Sequence, residues 1–386
     1  MTIATHIAAA TFAYPEVDTD TRARLSAAWR GIEPDGATFV LNTCLRTEVV
    51  VAGDVEHLHD RLMDLFDGSP DLGAAKIRQG EAAVEHLFRV VSGLESPIRG
   101  EQEILTQYRQ TLYDASERGA VTGIFAKLLE TAVAVGRQAR ETLPDSPHDS
   151  MGAVAAQVVG FVERVAVLGS GAMATSVVRA LQGLPAPPAV TVIARSPERV
   201  AFDGADVWPF TRAREALEEY PAVISATSAK QRLVESASMS EIMAGRRGPL
   251  TLVDMAMPPD FTVEPSPRLR YLDIDDLARM AERKPRIDEA DGIVRAAAVG
   301  AHHSFVDHHQ VGPVIGGLTR QADEIVEDVV SRFGGRLSSD RDLAVLRQTA
   351  HTVARTLLAA PIAYVKHADR APEAVDIVAD AFGVDG

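Results

Sequence analysis

Cys44 is the only cysteine of the chain. It stands in FVLNTCLRTEVV, where an apolar run gives way to a polar turn. A thiol in such a place is either a small buried hydrophobe or a nucleophile for a carbonyl carbon. Its company supports the nucleophile: Thr43, Arg46, Thr47 and Glu48 crowd around it, and Arg46 could lower a thiol pKa or hold an anionic substrate. A second group lies in VAVLGSGAMATSVVRAL, Val165 to Leu181. An apolar strand, a glycine turn and a helix follow one another, the order that binds a pyrophosphate. Gly169 allows the turn, Gly171 lets the backbone approach phosphate at the positive end of the helix, and Ala174 fills the third glycine position. Ser170, Ala172 and Met173 complete the expected cofactor-binding turn. The next strand ends VTVIARSPER, with Arg195 and Ser196 where NAD binders place an acid, and no acid before Glu198. An arginine fork suits a 2′-phosphate, so NADPH is the expected cofactor.

These residues need elements to position them. Strand-length apolar runs at His6–Ala10, Thr38–Leu41 and Val49–Ala52, then helical spacing from Gly80 to Glu141, predict an α+β domain over residues 1–145. The proline-rich stretch Leu143–Ser150 reads as a boundary. Candidate strands at Val165–Leu168, Val190–Ala194, Asp206–Pro209, Ala222–Ser225, Leu250–Met255 and Arg270–Leu272, with helical stretches between several of them, predict a Rossmann-type doubly wound parallel sheet over 151–278. Beyond Asp275 helical patterns dominate, interrupted by Pro285, Gly300, Pro313 and Pro361. They predict a connecting helix and an all-helical dimerisation domain over 279–386. The fold class is therefore α/β multidomain.

Composition narrows the function. The 386 residues are 46% hydrophobic and 24% charged, which is globular and excludes a disordered, collagenous or coiled-coil chain. A net charge of −15 argues against a general nucleic-acid coat or an anionic-membrane binder, while leaving room for a local patch that holds one RNA. One cysteine excludes an internal disulfide framework and a cysteine-cage zinc site. His302, His303, His308 and His309 lack a carboxylate or cysteine at a familiar ligand spacing, so no metal is expected. Without a basic leader or ~18 consecutive apolar residues, a soluble cytoplasmic protein with no membrane contact is the expectation.

The cluster Asn42-Thr43-Cys44-Leu45-Arg46-Thr47-Glu48 resembles the nucleophile motif of the glutamyl-tRNA reductase family, usually Ser/Thr-Thr-Cys-Asn-Arg-Thr/Val-Glu. HLFRVVSGLESPIRGEQEILTQ, His86 to Gln107, resembles the family's most recognisable segment, which usually ends Gly-Glu-Pro-Gln-Ile-Leu-Gly-Gln. ISATSA, LVDMAMPPD, LDIDDL and PVIGGLTRQADEI follow in family order, so the resemblance covers nearly the whole chain. It implies that Cys44 captures the glutamyl group of glutamyl-tRNA as a thioester, which NADPH reduces to glutamate-1-semialdehyde, the entry to tetrapyrrole synthesis. It further implies that Thr43, Arg46, Ser96, Glu101, Glu103 and Gln107 line the substrate pocket, with Arg46 facing the glutamyl carboxylate. His86 is either an acid/base or positioning group, or a helix residue packed on the pocket wall. A homodimer, contact with glutamate-1-semialdehyde aminotransferase, and a cofactor domain held away from the cysteine until it swings are family expectations.

Four departures surround the substrate side. Leu45 replaces the motif asparagine, Gln102-Glu103 replaces Pro-Gln, the opening AATFAYPEVDTD lacks the usual lysine, and the chain is short, with glycines and prolines across the connecting helix. They leave open a paralogue that reduces another aminoacyl-tRNA and a non-catalytic NADP-binding relative. Arg46 favours glutamate, because a buried arginine without an anionic partner is costly. Arg341, Arg347 and Arg355, near helical spacing, are candidate tRNA contacts.

Overall fold

The computed structural model describes residues 7–28, 33–65, 75–101, 103–143, 150–281, 287–334, 336, 339–366 and 374–384. His6, Gln102, Pro285, most of the expected boundary (144–149) and the His309 side chain lie outside the described residues. The chain forms two compact units, residues 1–299 and 300–386.

The first unit opens with β1 (Ala8–Ala13), α1 (Thr19–Ala28), β2 (Thr38–Asn42), β3 (Arg46–Val51), α2 (Val55–Leu65) and β4 (Lys76–Gln79). The strands form an antiparallel sheet in the order β2-β3-β1-β4. Strand side chains alternate between faces. Val49 and Val51 therefore join Ala8, Ala10, Phe12, Leu58 and Leu62 in one core, while Arg46 and Glu48 point to the opposite face. Glu48 sits across from Thr11 in the β1–β3 register. Helices α3 (Glu81–Val91), α4 (Glu103–Glu117) and α5 (Gly123–Arg140) follow.

Then come α6 (Met151–Val159), β5 (Arg164–Leu168), α7 (Ala172–Gln182), β6 (Ala189–Ala194), β7 (Ala205–Pro209), α8 (Ala213–Glu219), β8 (Ala222–Ser225), α9 (Ser236–Gly245), β9 (Leu250–Asp254), β10 (Leu269–Asp273) and α10 (Ile274–Ala281). All six strands are parallel, in the order β10-β9-β8-β5-β6-β7. Order reverses between β5 and β8, and the crevice outside their carboxyl ends is where doubly wound sheets bind ligand.

The expected breaks at Gly300, Pro313 and Pro361 do not occur. One helix, α11, runs from Asp288 to Gly334, and α12 (Asp340–Lys366) carries Pro361 in its interior. An interior proline costs about 3 kcal/mol and a glycine about 1 kcal/mol, which a helix of 47 residues absorbs over its many other backbone bonds. In the second unit α11, α12 and α13 (Ala374–Phe382) enclose a small core of Val314, Leu318, Val365, Val378 and Ala379.

Candidate active site

Cys44 follows β2 in a tight turn that returns as β3. Thr43 builds this turn: its hydroxyl accepts from the amides of Leu45 (3.3 Å) and Arg46 (3.2 Å). Cys44 is half-buried, and the wall around it comes from two directions. Thr43, Arg46, Ser96, Glu101, Glu103 and Gln107 enclose a pocket with it, and Met151 and Met173 close the far side. At 20 Å³ that pocket has room for about one water. Cys44 also lines a cleft of 560 Å³ together with Asn42, Gln107, Met173, Ala226, Thr227, Ser228, Met255 and Met257. The last six stand at the glycine turn and at the carboxyl ends of the parallel strands.

Thus the expected gap between cysteine and cofactor domain is absent. Leu45, in place of the motif asparagine, is the reason on the cysteine side. It is 5% exposed and packs with Ile98 into the apolar cluster of Met151, Ala174, Val177 and Val178. An aliphatic side chain there gains by burial what an amide would lose by desolvation. Glu103 also bridges the two halves, accepting from the Ser176 hydroxyl of α7 at 3.0 Å.

The pocket raises proton affinities. Burial, then the Glu103 charge, pushes Glu101 up to about 7 against hydrogen bonding from Ser96 and the charges of Arg46 and Arg140. Burial and the Glu101 charge push the Cys44 thiol up to about 12, with Arg22 opposing and Glu103 adding to the rise. In this closed arrangement the sulfur is a neutral thiol at pH 7.

His86 is not in the Cys44 pocket. It packs on the face of β3 that carries Arg46 and Glu48, beyond Arg46 from the sulfur pocket, where its Nε2 lies 2.9 Å from the Thr11 hydroxyl and 3.1 Å from Glu48 Oε2. Arg46 donates to Glu48 Oε1 at 3.1 Å and to the Glu95 carbonyl. Burial alone would raise the Glu48 carboxyl, but His86, Arg46 and Thr11 outweigh it and hold it below the ordinary value. Arg46 therefore already has a buried anionic partner. It lines both the cysteine pocket and a second pocket of 210 Å³ bounded by His86, Lys76, Arg78 and Glu95.

The nucleotide side fits a dinucleotide. Gly169 has φ 110°, and a Cβ there would lie 2.5 Å from the Ala226 carbonyl oxygen, so no larger residue fits the turn. At Gly171 a Cβ would meet nothing within 4 Å, leaving backbone open to an approaching phosphate. Gly171 caps α7 without a side-chain hydrogen bond, and the first turn holds no acid, so its amides could receive an anion. Ser170 and Ala172 are exposed and Met173 half-buried, whereas Ala174 is fully buried and serves helix–sheet packing. Arg195 is exposed and Ser196 half-buried just beyond β6.

Two carboxylates that the sequence reading did not single out support this wall. Asp260 accepts from the hydroxyls of Ser225 (2.6 Å) and Thr227 (2.9 Å). Asp254 accepts from the amides of Ala256, Asp260 and Phe261 and from the Tyr271 hydroxyl. Among the described residues no cluster of three or more His, Cys, Asp or Glu could hold a metal, and no helix is long and apolar enough to cross a membrane.

A doubly wound sheet with an open glycine turn, and a thiol beside its carboxyl edge, defines an oxidoreductase that takes a nicotinamide cofactor. Residues 11–143 match the model of the glutamyl-tRNAGlu reductase N-terminal domain, 154–280 that of shikimate/quinate 5-dehydrogenase, and 289–384 that of the glutamyl-tRNAGlu reductase dimerisation domain. The glutamyl-tRNA reductase of Kineococcus radiotolerans is 32% identical over 372 residues, covering 88% of this chain and 82% of that protein. That of Moorella thermoacetica is 31% identical over 364 residues, covering 86% and 82%. The solved glutamyl-tRNA reductase of Methanopyrus kandleri superposes with a TM-score of 0.44 at 24% identity, covering 95% of this chain and 100% of that one. The chain belongs to the glutamyl-tRNA reductase family.

Proposed function

We propose that this protein reduces glutamyl-tRNA to glutamate-1-semialdehyde with NADPH, the first step of tetrapyrrole synthesis. The observation that carries the reading is the position of Cys44, which faces the acyl pocket on one side and the nucleotide cleft on the other. The sulfur attacks the ester carbonyl: a C–S bond forms, the ester C–O bond breaks, and the thiol proton ends on the departing tRNA hydroxyl. Glu101 titrates near neutrality in the same pocket, where a relay for that proton is needed. When bound, the dinucleotide supplies a hydride to the thioester carbon. Cys44 then leaves as the C–S bond breaks and recovers a proton.

The roles follow the placement. Gly169, Ser170, Gly171, Ala172 and Met173 hold the pyrophosphate, and Arg195 with Ser196 holds a 2′-phosphate, the feature that selects NADPH over NADH. Ala174 sets the helix against the sheet. Ser96, Glu101, Glu103 and Gln107 bound the acyl pocket with Thr43 and Arg46, while His86 acts through Glu48 on Arg46 and does not meet the sulfur. Residues 1–145 carry the acyl chemistry, 151–278 the nucleotide and 279–386 a homodimer contact. Exposed Ile325, Val345, Val353 and Leu357 on α11 and α12 supply apolar surface for that contact. Glu103 accepts from the Ser176 hydroxyl, which anchors its carboxylate to α7. The aldehyde product calls for an aminotransferase as the next enzyme.

The test is release of tRNA from charged glutamyl-tRNA without nucleotide, followed by aldehyde formation on adding NADPH. Both reactions are expected, and both should vanish in Cys44→Ser. Release that survives in Cys44→Ser, or preference for another charged tRNA, contradicts the proposal.

A further inference from the structure

Among the described residues Arg22 is the largest fully buried side chain, with 0% exposure. A buried guanidinium that leaves its nitrogens unpartnered costs several kcal/mol, and each nitrogen of Arg22 has an acceptor. Nε donates to the Cys44 backbone carbonyl at 3.2 Å. One terminal nitrogen donates to the Val17 carbonyl. The other donates to the Thr19 hydroxyl at 3.1 Å and to Asp275 Oδ1 at 2.5 Å. Thr19 completes the ring by donating to Asp275 Oδ2 at 2.7 Å. Asp275 belongs to the first turn of α10, which follows the last strand of the parallel sheet. The guanidinium thus ties the backbone of the nucleophile itself to the nucleotide-binding domain.

We infer that Arg22 and Asp275 are positioning residues that latch the Cys44 turn onto the nucleotide-binding domain, so that the latch serves hydride delivery and opposes acyl entry. This inference rests on the reading proposed above. Two observations give it direction. The acyl pocket is 20 Å³ with the latch engaged, too small for a glutamyl group, and Met151 and Met173 of the latched domain form its far wall. The cleft that joins sulfur to the ends of β8 and β9 exists in the same arrangement. Acylation therefore needs the wall to retreat, and reduction needs it in place.

The experiment uses the full-length protein with Asp275→Asn, which keeps the shape and removes the charge, and with Thr19→Val, which removes the two hydrogen bonds of the Thr19 hydroxyl and leaves the ion pair. Three rates are measured at one pH: alkylation of Cys44 by iodoacetamide, acyl transfer from glutamyl-tRNA without nucleotide, and aldehyde formation with saturating NADPH. Asp275→Asn should be alkylated about tenfold faster, transfer the acyl group within threefold of the parent rate or faster, and form aldehyde at least tenfold slower. Thr19→Val should fall between. A variant that merely folds poorly loses acyl transfer and reduction together, and that outcome overturns the latch, as does unchanged alkylation. If the parent protein forms no thioester, the proposed reaction fails, while alkylation alone still decides whether the pair holds the turn closed.

Discussion

Replacing Glu103 by glutamine tests the electrostatics of the cysteine pocket. The change preserves volume, and the amide oxygen can still accept from the Ser176 hydroxyl, which lies 3.0 Å from the carboxylate. What it removes is a charge that raises both Glu101 and Cys44. At an effective dielectric constant of ~20, a like charge ~7 Å away is worth about 2 kcal/mol, or between one and two pH units. Glu103 is the weaker of the two carboxyl influences on Cys44, so the lower figure applies: a fall of about one pH unit in the thiol. With the thiol pushed up to about 12, the thiolate at pH 8 is only about one part in ten thousand. Alkylation in that range is proportional to thiolate, so Glu103→Gln should react about tenfold faster at pH 8. The gain should shrink toward pH 6. There the variant's Glu101, released from its neighbour, ionises earlier and puts negative charge back beside the sulfur. The assay is unambiguous because Cys44 is the only thiol in the chain: iodoacetamide incorporation is followed by intact mass from pH 6 to 9. Equal or slower alkylation at pH 8 refutes the electrostatic account of this pocket.

Other predictions follow from the same contacts. Glu48→Gln should destabilise the protein by about 3 kcal/mol at pH 7, because it leaves Arg46 and His86 without their buried anion. Since the folded Glu48 carboxyl lies below its ordinary value, its contribution is present above the carboxylate range and is lost as pH falls through the folded value. Urea midpoints of parent and variant should therefore converge at low pH, and a constant gap contradicts the assignment. Gly169→Ala should cost about 2–4 kcal/mol, from the forced positive φ and the clash with the Ala226 carbonyl. A change below ~0.5 kcal/mol in denaturant unfolding sinks that reading of the turn. Arg195→Ser should lower kcat/KM for NADPH by about tenfold to a hundredfold, the worth of a charged hydrogen bond at about 1.5–3 kcal/mol. It should leave NADH within threefold, and an equal loss for both nucleotides removes Arg195 from the 2′-phosphate site.

The parallel sheet was legible because its four inner strands, buried on both faces, read as short apolar runs, and all six expected runs, the half-buried edge strands β7 and β10 included, became β5–β10 within a residue or so. The glycine turn and the cysteine were legible as motifs. Strand β4 was not: KIRQ has no apolar alternation, since it pairs at an edge and stays largely exposed. Local punctuation misled at α11, where glycines and a proline suggest a break that the length of the helix overrides. The meaning of Leu45 depends on a partner surface more than a hundred residues away, supplied by Met151, Val177 and their neighbours. Arg22 and Asp275 are 253 residues apart, and neither carries a spacing signal that links them. A motif shows which residues do chemistry, whereas long-range packing decides which residues hold them.

Intact-protein mass spectrometry after mixing with glutamyl-tRNA, before any nucleotide is added, tests the account most directly. A gain equal to one glutamyl residue, localised to Cys44, absent in Cys44→Ser and discharged as an aldehyde when NADPH is added, is the expected result. An unmodified Cys44 in protein that nonetheless produces aldehyde contradicts it.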